Sequence, residues 1–171
     1  MAVLNIVLVE PEIPQNTGNI ARTCAVTGAR LHLIEPLGFR LTAGMVKRAG
    51  MDYWDQVELY RYRDYQHFND EIRAEGEPRI WYVTTKADQA YTDVSYRQGD
   101  YLMFGKESAG IPEEILARHH VQCVRIPMAE GIRSLNLSNS VAIVLYEALR
   151  QQGFEDLEQA GHLHRLEWKD N

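Results

Sequence analysis

Between Leu4 and Val9 the chain reads Leu-Asn-Ile-Val-Leu-Val, with one polar side chain in the run. Side chains of a strand point alternately to opposite faces, so a run this apolar leaves no face fit for water. Such strands belong to sheets covered on both sides, as in the parallel sheets of α/β folds, whose crossover helices lie on both faces. The start of the chain therefore has to be buried under two layers. The segment MAVLNIVLVEPE also has no basic flank and meets Glu10 early, which argues against a signal peptide.

The rest of the sequence supplies the layers. PEIPQNTG is a loop rich in turn formers, and the pattern predicts a helix from about Thr17 to Thr27, ending at Gly28. Arg30 to Ile34 reads as a second strand closed by Pro36 and Gly38, followed by a helical stretch around Thr42 to Ala49. Val57 to Tyr60 is a weaker strand, and Tyr65 to Glu75 a polar-faced helix. Arg79 to Thr85 and Asp100 to Phe104 are further strands, and Pro112 opens a helix through about Arg118. Val121 to Ile126 is the last strand, and Asn136 to about Gln152 the longest helix. This alternation predicts an α/β fold, a mostly parallel sheet flanked by helices, in one domain over residues 1–153 with a polar tail over 154–171.

The last helix asks for a partner. Val141, Ala142, Ile143, Val144 and Leu145 are consecutive, so the helix is apolar on every side. A sheet covers one side; a second copy over the other, and so a homodimer, is expected, with an unusually deep core of a single copy as the alternative. No apolar run approaches the roughly 18 residues of a membrane span, so no membrane partner is expected. Cys24 and Cys123 sit among apolar residues and read as buried thiols of a reducing compartment, the cytoplasm. His119, His120, His162 and His164 lack companion ligands at metal spacing, so no metal is expected. The net charge of −6 speaks against a nucleic-acid partner, but five acids and two bases lie beyond Gln151. Half of the excess is thus in the tail, leaving room for a basic face on the body.

Three segments carry chemistry. Gly105-Lys106-Glu107-Ser108-Ala109-Gly110 leaves a strand and enters a helix, where α/β sheets bind ligands. It is no P-loop, since Ile111 follows Gly110, and no nucleophile elbow, since Lys106 replaces the first glycine. A ligand loop and a plain turn both remain open. The second segment runs from Arg125 to Ser140. Ser134, Asn136, Ser138 and Asn139 crowd a helix start beside an Ile126-Pro127-Met128 wall. One of them caps the helix; together they also suit a ligand with apolar and polar parts. In the third, Gly18 and Arg22 share a helix face, which suits an anion such as an RNA phosphate, although on these residues alone a surface carboxylate is the favoured partner.

Taken together, these segments resemble the motifs of the SPOUT family of RNA methyltransferases. Asn16 with Arg22 matches the first motif of its ribose-methylating branch, Gly105-x-Glu107-x-x-Gly110-Ile111-Pro112 the second, and Ile126-Pro127-Met128 with Ser134-Leu135-Asn136-Leu137-Ser138-Asn139 the third. The motifs stand in order over about Leu4 to Arg150. Pro11-Glu12-Ile13-Pro14, Ile34 to Phe39 and Leu102 to Gly105 are similar to the minimal, single-domain tRNA enzymes of that family.

The resemblance implies a C-terminal trefoil knot, which general topology rules would exclude. It also implies S-adenosyl-L-methionine (AdoMet) held around Val83, Gly105, Glu107, Ile126, Met128, Ser134 and Leu135, and methylation of the ribose 2′-oxygen of wobble nucleotide 34, cytidine or modified uridine, in leucine tRNAs. Arg22, Asn16, Ser134 and Asn136 would be the catalytic residues. Arg22, Lys47, Arg48, Arg133, Tyr146 and Arg150, with Arg61 and Arg63, would contact the tRNA. A SPOUT enzyme acting on another RNA ribose or on a base is the alternative, and a non-catalytic RNA-binding dimer the rival from another class. The intact set Asn16, Arg22, Glu107, Ser134 and Asn136 favours an enzyme.

Overall fold

The structure is a computed structural model that describes residues 3–41 and 56–169. In chain order the described residues form β1 (Asn5–Val9), α1 (Pro14–Thr27), β2 (Arg30–Ile34), β3 (Leu59–Tyr62), α2 (Tyr65–Ala74), β4 (Ile80–Val83) and β5 (Tyr101–Phe104). These are followed by α3 (Glu113–Leu116), a single 3₁₀ turn (His120–Gln122), β6 (Cys123–Val124) and α4 (Leu137–Gln151). The strands make one sheet in the order β3-β2-β1-β5-β4-β6, and every neighbouring pair is parallel.

The apolar run at the N-terminus has the two-sided burial that its composition requires. All five residues of β1 are buried. Ile6 and Leu8 pack into a core shared with Ile20 and Cys24 of α1 and with Val141, Val144 and Leu145 of α4. Val7 and Val9 point the other way, into a core with Phe68 and Ile72 of α2 and Leu116 of α3. Val141, Val144 and Leu145 are fully inaccessible to solvent. Burial of each such side chain contributes about 1.5–3 kcal/mol, which fixes α4 against the sheet and α1. Cys24 and Cys123 are both buried free thiols, and burial alone pushes Cys24 up to about 12.

Several elements differ from the sequence pattern. The first helix begins at Pro14, three residues early, because Pro is tolerated in a first turn and the amides of Asn16 and Thr17 bond the carbonyl of Ile13. The strand expected over Val121 to Ile126 shrinks to Cys123–Val124: residues 120–122 make the 3₁₀ turn, and Val121 is 76% exposed. α3 is one turn long. The helix expected around Thr42 to Ala49, with Lys47 and Arg48, lies outside the described residues.

Two features of the topology position the site. After β1 the chain turns through α1 to β2 on one side, whereas after β5 it turns through α3 to β6 on the other. The loops diverge at the carboxyl ends of these central strands, the switch point at which open α/β sheets bind ligands. The crossover from β4 to β5 also holds the end of the fold. Arg125 donates its amide to Gln89 O at 3.0 Å and accepts from Tyr91 N at 2.9 Å. Gln151, in the last turn of α4, accepts from Tyr96 N at 2.9 Å and donates to Val94 O at 3.0 Å. One stretch of chain thus grips both the exit of β6 and the end of α4.

Candidate active site

A cavity of about 560 Å³ lies over the carboxyl ends of β4, β5 and β6. Its walls are Val83–Lys86 after β4, Phe104–Gly110 after β5, Ile126 and Met128 after β6, and Arg133 to Leu137 with Ser140 at the start of α4; Ile13 and Asn16 close it from the side of α1. Its size is that of a pocket for a cofactor-sized molecule. The second and third sequence motifs therefore meet in one place, and Asn16 of the first joins them.

The loop after β5 folds back on its own start. Gly110 donates its amide to Lys106 O at 2.8 Å and adopts φ +75°. A Cβ on Gly105 would lie 1.9 Å from the carbonyl carbon of Gly110 and 2.0 Å from the nitrogen of Ile111. The room that this glycine leaves is taken by the returning chain. Glycine at 105 is a condition for the loop itself.

Three consecutive side chains of this loop are tied to the segment after β1. Lys106 Nζ pairs with Glu10 Oε2 at 2.8 Å. Glu107 accepts from Glu12 N at 2.8 Å, from Ile13 N at 3.3 Å and from Asn16 Nδ2 at 2.9 Å. Glu12 in turn accepts from Ser108 N at 2.9 Å and from Ser108 Oγ at 2.8 Å. Glu107 thereby satisfies donors at the start of α1, where a negative charge also suits the helix dipole. The Ser108 hydroxyl and amide hold the Glu12 carboxyl below the usual carboxylate range. The bond to Glu10 raises Lys106 above its ordinary value.

A second chain of contacts runs from Glu107 to α4. Asn16, 5% exposed, gives its Nδ2 to Glu107, and its Oδ1 accepts from Asn136 Nδ2 at 2.9 Å. Asn136 is the N-cap of α4, its Oδ1 accepting from Ser138 N at 2.9 Å and Asn139 N at 3.3 Å. Of the four small polar residues crowding that helix start, Asn136 is thus the cap. Glu107, Asn16 and Asn136 form a relay across all three motifs.

The remaining sequence-predicted residues divide. Val83, Gly105, Glu107, Ile126, Met128, Ser134 and Leu135 all line the cavity, as do Asn16 and Asn136. Arg133 lines it too, and its Nη2 donates to Ser108 O at 3.1 Å, linking the two loops. Arg22 is exposed on α1, six residues past Asn16 and outside the cavity wall. Tyr146 and Arg150 are exposed on α4 away from the cavity, and Arg150 pairs with Glu147 at 2.8 Å. Arg61 pairs with Glu35, and Arg63 with Asp64 at 3.3 Å. Lys47 and Arg48 lie outside the described residues. Thr84–Lys86, Lys106 and Glu12 have no site role in the sequence reading; Glu12 and Lys106 find their partners 96 positions away, and no local pattern announces that.

The lining fits AdoMet. Val83, Phe104, Ile126, Met128 and Leu135 offer apolar surface for a base, and Asn16, Ser134, Asn136 and Ser140 offer polar groups for a charged amino-acid end. Among the described residues no group of three or more His, Cys, Asp and Glu side chains could hold a metal ion, and no helix is long and apolar enough to cross a membrane.

The profile of the SpoU rRNA Methylase family matches residues 3–146. The tRNA (cytidine(34)-2′-O)-methyltransferase of Escherichia coli strain K12 is 52% identical over 152 residues, 88% of this chain and 95% of that protein. A structure solved for the 2-OH methylation of C/U34 on tRNA superposes with a TM-score of 0.82 at 44% identity, covering 90% of this chain and 99% of that one. An AdoMet-bound rRNA methyltransferase from Sinorhizobium meliloti gives 0.76 at 29% identity, covering 86% of this chain and 56% of that one. With its three motifs gathered on one cavity and its last helix gripped by an earlier crossover, the chain belongs to the SpoU methylase family and has that family's knotted α/β fold.

Proposed function

We propose that this chain transfers a methyl group from AdoMet to the ribose 2′-oxygen of nucleotide 34, a cytidine or modified uridine, in leucine tRNAs. One observation carries the reading: the cofactor cavity is joined through Glu107, Asn16 and Asn136 to the helix that bears Arg22, in a chain similar along most of its length to enzymes named for that reaction. Residues 1–153 are the catalytic domain and 154–171 a tail, and the tRNA substrate places the work in the cytoplasm.

Bound AdoMet supplies a methyl group on a positively charged sulfur, open to attack by an oxygen held in line. The protein's task is to hold the two reactants in that line, which accounts for much of the acceleration in such reactions. Val83, Gly105, Ile126, Met128, Ser134 and Leu135 hold the cofactor. Glu107 joins them through its backbone, since its carboxylate is engaged by α1. Arg22 faces the RNA, orients the ribose and stabilises the alkoxide as the hydroxyl proton passes to the adjacent RNA phosphate; a guanidinium offers donors and no acceptor, so it does not serve as the base. Arg133 meets the substrate at the cavity mouth, and Tyr146, Arg150, Lys47 and Arg48 extend the contact. A second copy covers the apolar surface left on the two packed helices, where Val26 is 52% and Tyr146 44% exposed and Ile143 is half-buried.

Incubation with labelled AdoMet and tRNA from a strain lacking this protein, followed by mapping of the label, tests the reading. Label on the ribose of nucleotide 34 is expected. Label on another nucleotide, or on a base, overturns it.

A further inference from the structure

We propose that Glu12 is a positioning residue for methyl transfer, fixing the cofactor loop against the start of α1. The inference rests on the function proposed above and concerns a residue given no role there. Glu12 and Glu107 make reciprocal bonds: the backbone of Glu12 donates to the Glu107 carboxylate at 2.8 Å, while the Glu12 carboxylate accepts from the Ser108 amide and hydroxyl at 2.9 and 2.8 Å. Each segment thus holds the other by a carboxylate, and bonds to a charged acceptor are stronger than neutral ones.

The anchor is itself held by its neighbours. The loop after β2 packs closely on it: Gly38 donates its amide to Pro11 O at 2.9 Å, and a Cβ on Gly38 would lie 2.7 Å from the Cα of Glu12. Glu10 adopts φ +49°, a left-handed conformation uncommon for a residue with a side chain, and this turn brings Glu10 and Glu12 together against Lys106 and Ser108. The geometry of this clasp sets the distance between the loop lining the cofactor cavity and the helix carrying Arg22. Misplacement of reacting groups by about 1 Å can cost on the order of a hundred-fold in rate.

The test compares Glu12→Ala, Glu12→Gln and the wild type by hydrogen exchange of the 105–110 loop, AdoMet affinity, and single-turnover transfer at saturating AdoMet and tRNA. Glu12→Ala should raise exchange at Ser108 roughly ten-fold and slow transfer roughly ten- to hundred-fold, with AdoMet affinity changed by only about three-fold. Glu12→Gln retains an oxygen for the Ser108 amide and should recover most of both effects. Unchanged exchange in Glu12→Ala overturns the clasp, and a rate within about two-fold of wild type despite faster exchange overturns the positioning role. Loss of rate only in step with lost AdoMet binding and melting temperature also overturns it, and so does a glutamine variant as slow as the alanine one. A wild-type protein that methylates no tRNA fells the proposed function instead, while the exchange measurement still judges the clasp.

Discussion

Asn136 donates its side-chain amide to the side-chain oxygen of Asn16 at 2.9 Å, across 120 positions of sequence. The same Asn136 caps α4 with its other amide atom. One residue therefore ends a relay from α1 and begins the last helix, and these two roles can be separated.

Substituting Asn136 separates them. Asn136→Ala should cost about 1–2 kcal/mol in urea unfolding from the lost cap, and it should also slow methyl transfer. Asn136→Ser restores a capping oxygen but is too short and has no amide to reach Asn16. It should recover the stability and leave transfer slow. A serine variant with wild-type transfer would show that the relay does nothing beyond the cap.

Arg22→Ala should bind AdoMet nearly as the wild type does, because Arg22 stands outside the cavity wall. Losing a charge-assisted contact made in the transition state costs about 2–4 kcal/mol, so transfer should fall roughly 30- to 1,000-fold. Arg22→Lys should recover little, since a point charge replaces a planar fork. Single-turnover rates at saturating AdoMet decide; a near-normal rate in Arg22→Ala ends the catalytic assignment.

Even the smallest side chain is too large at position 105. Gly105→Ala places a carbon 1.9 Å from backbone that cannot rotate away. Calorimetry should show AdoMet affinity reduced at least about a hundred-fold as the loop is forced open. Wild-type affinity in this variant would mean that the 105–110 loop is not part of the cofactor site.

Acid should loosen the sheet through His32. Its ring is buried, bonded to Tyr62 Oη at 2.9 Å and Asn5 Oδ1 at 3.1 Å, and stacked on Tyr60 with centroids 4.8 Å apart. Burial, aided by the charge of Arg30, pushes its pKa down from 6.5 to about 4. The unfolded chain therefore binds this proton more readily, and its contribution to stability is intact above about pH 6.5 and lost as pH falls towards 4. The full loss is about 3 kcal/mol. Urea midpoints between pH 7.5 and 4.5 should fall less steeply in His32→Gln; an equally steep fall assigns the acid sensitivity elsewhere.

Sedimentation at micromolar concentration should give twice the 19.7 kDa chain mass. Ile143→Glu, placing a charge on the half-buried side of α4, should shift the protein to monomer without unfolding it. A wild-type monomer would remove the second copy from the proposal.

What was legible beforehand follows from the range of the forces involved. β2 falls where its alternating pattern lies, over Arg30–Ile34, because a buried strand is set by its own side chains. The cavity residues around Gly105, Ile126 and Asn136 were visible as loops between a strand and a helix, and resemblance supplied their meaning. The clasp between Glu12 and Glu107 was not legible, since it depends on β1 and β5 being neighbours, and only the completed sheet determines that. The shortening of β6 was missed for a related reason. Its residues pair with β4 alone, at the edge of the sheet, and the Val121 side chain is left exposed.

The grip of the β4–β5 crossover on Gln151 bears on how the protein is made. Synthesis proceeds from the N-terminus, and domains assemble as they emerge. Here the walls of the cavity are drawn from Ile13 through Ser140, and the helix that completes them is fastened at its far end. A nascent fragment that ends before α4 lacks Leu137 and Ser140 of the cavity wall. The cavity is thus complete only once the last helix has been made, and that helix is fastened at its far end by a crossover made before it.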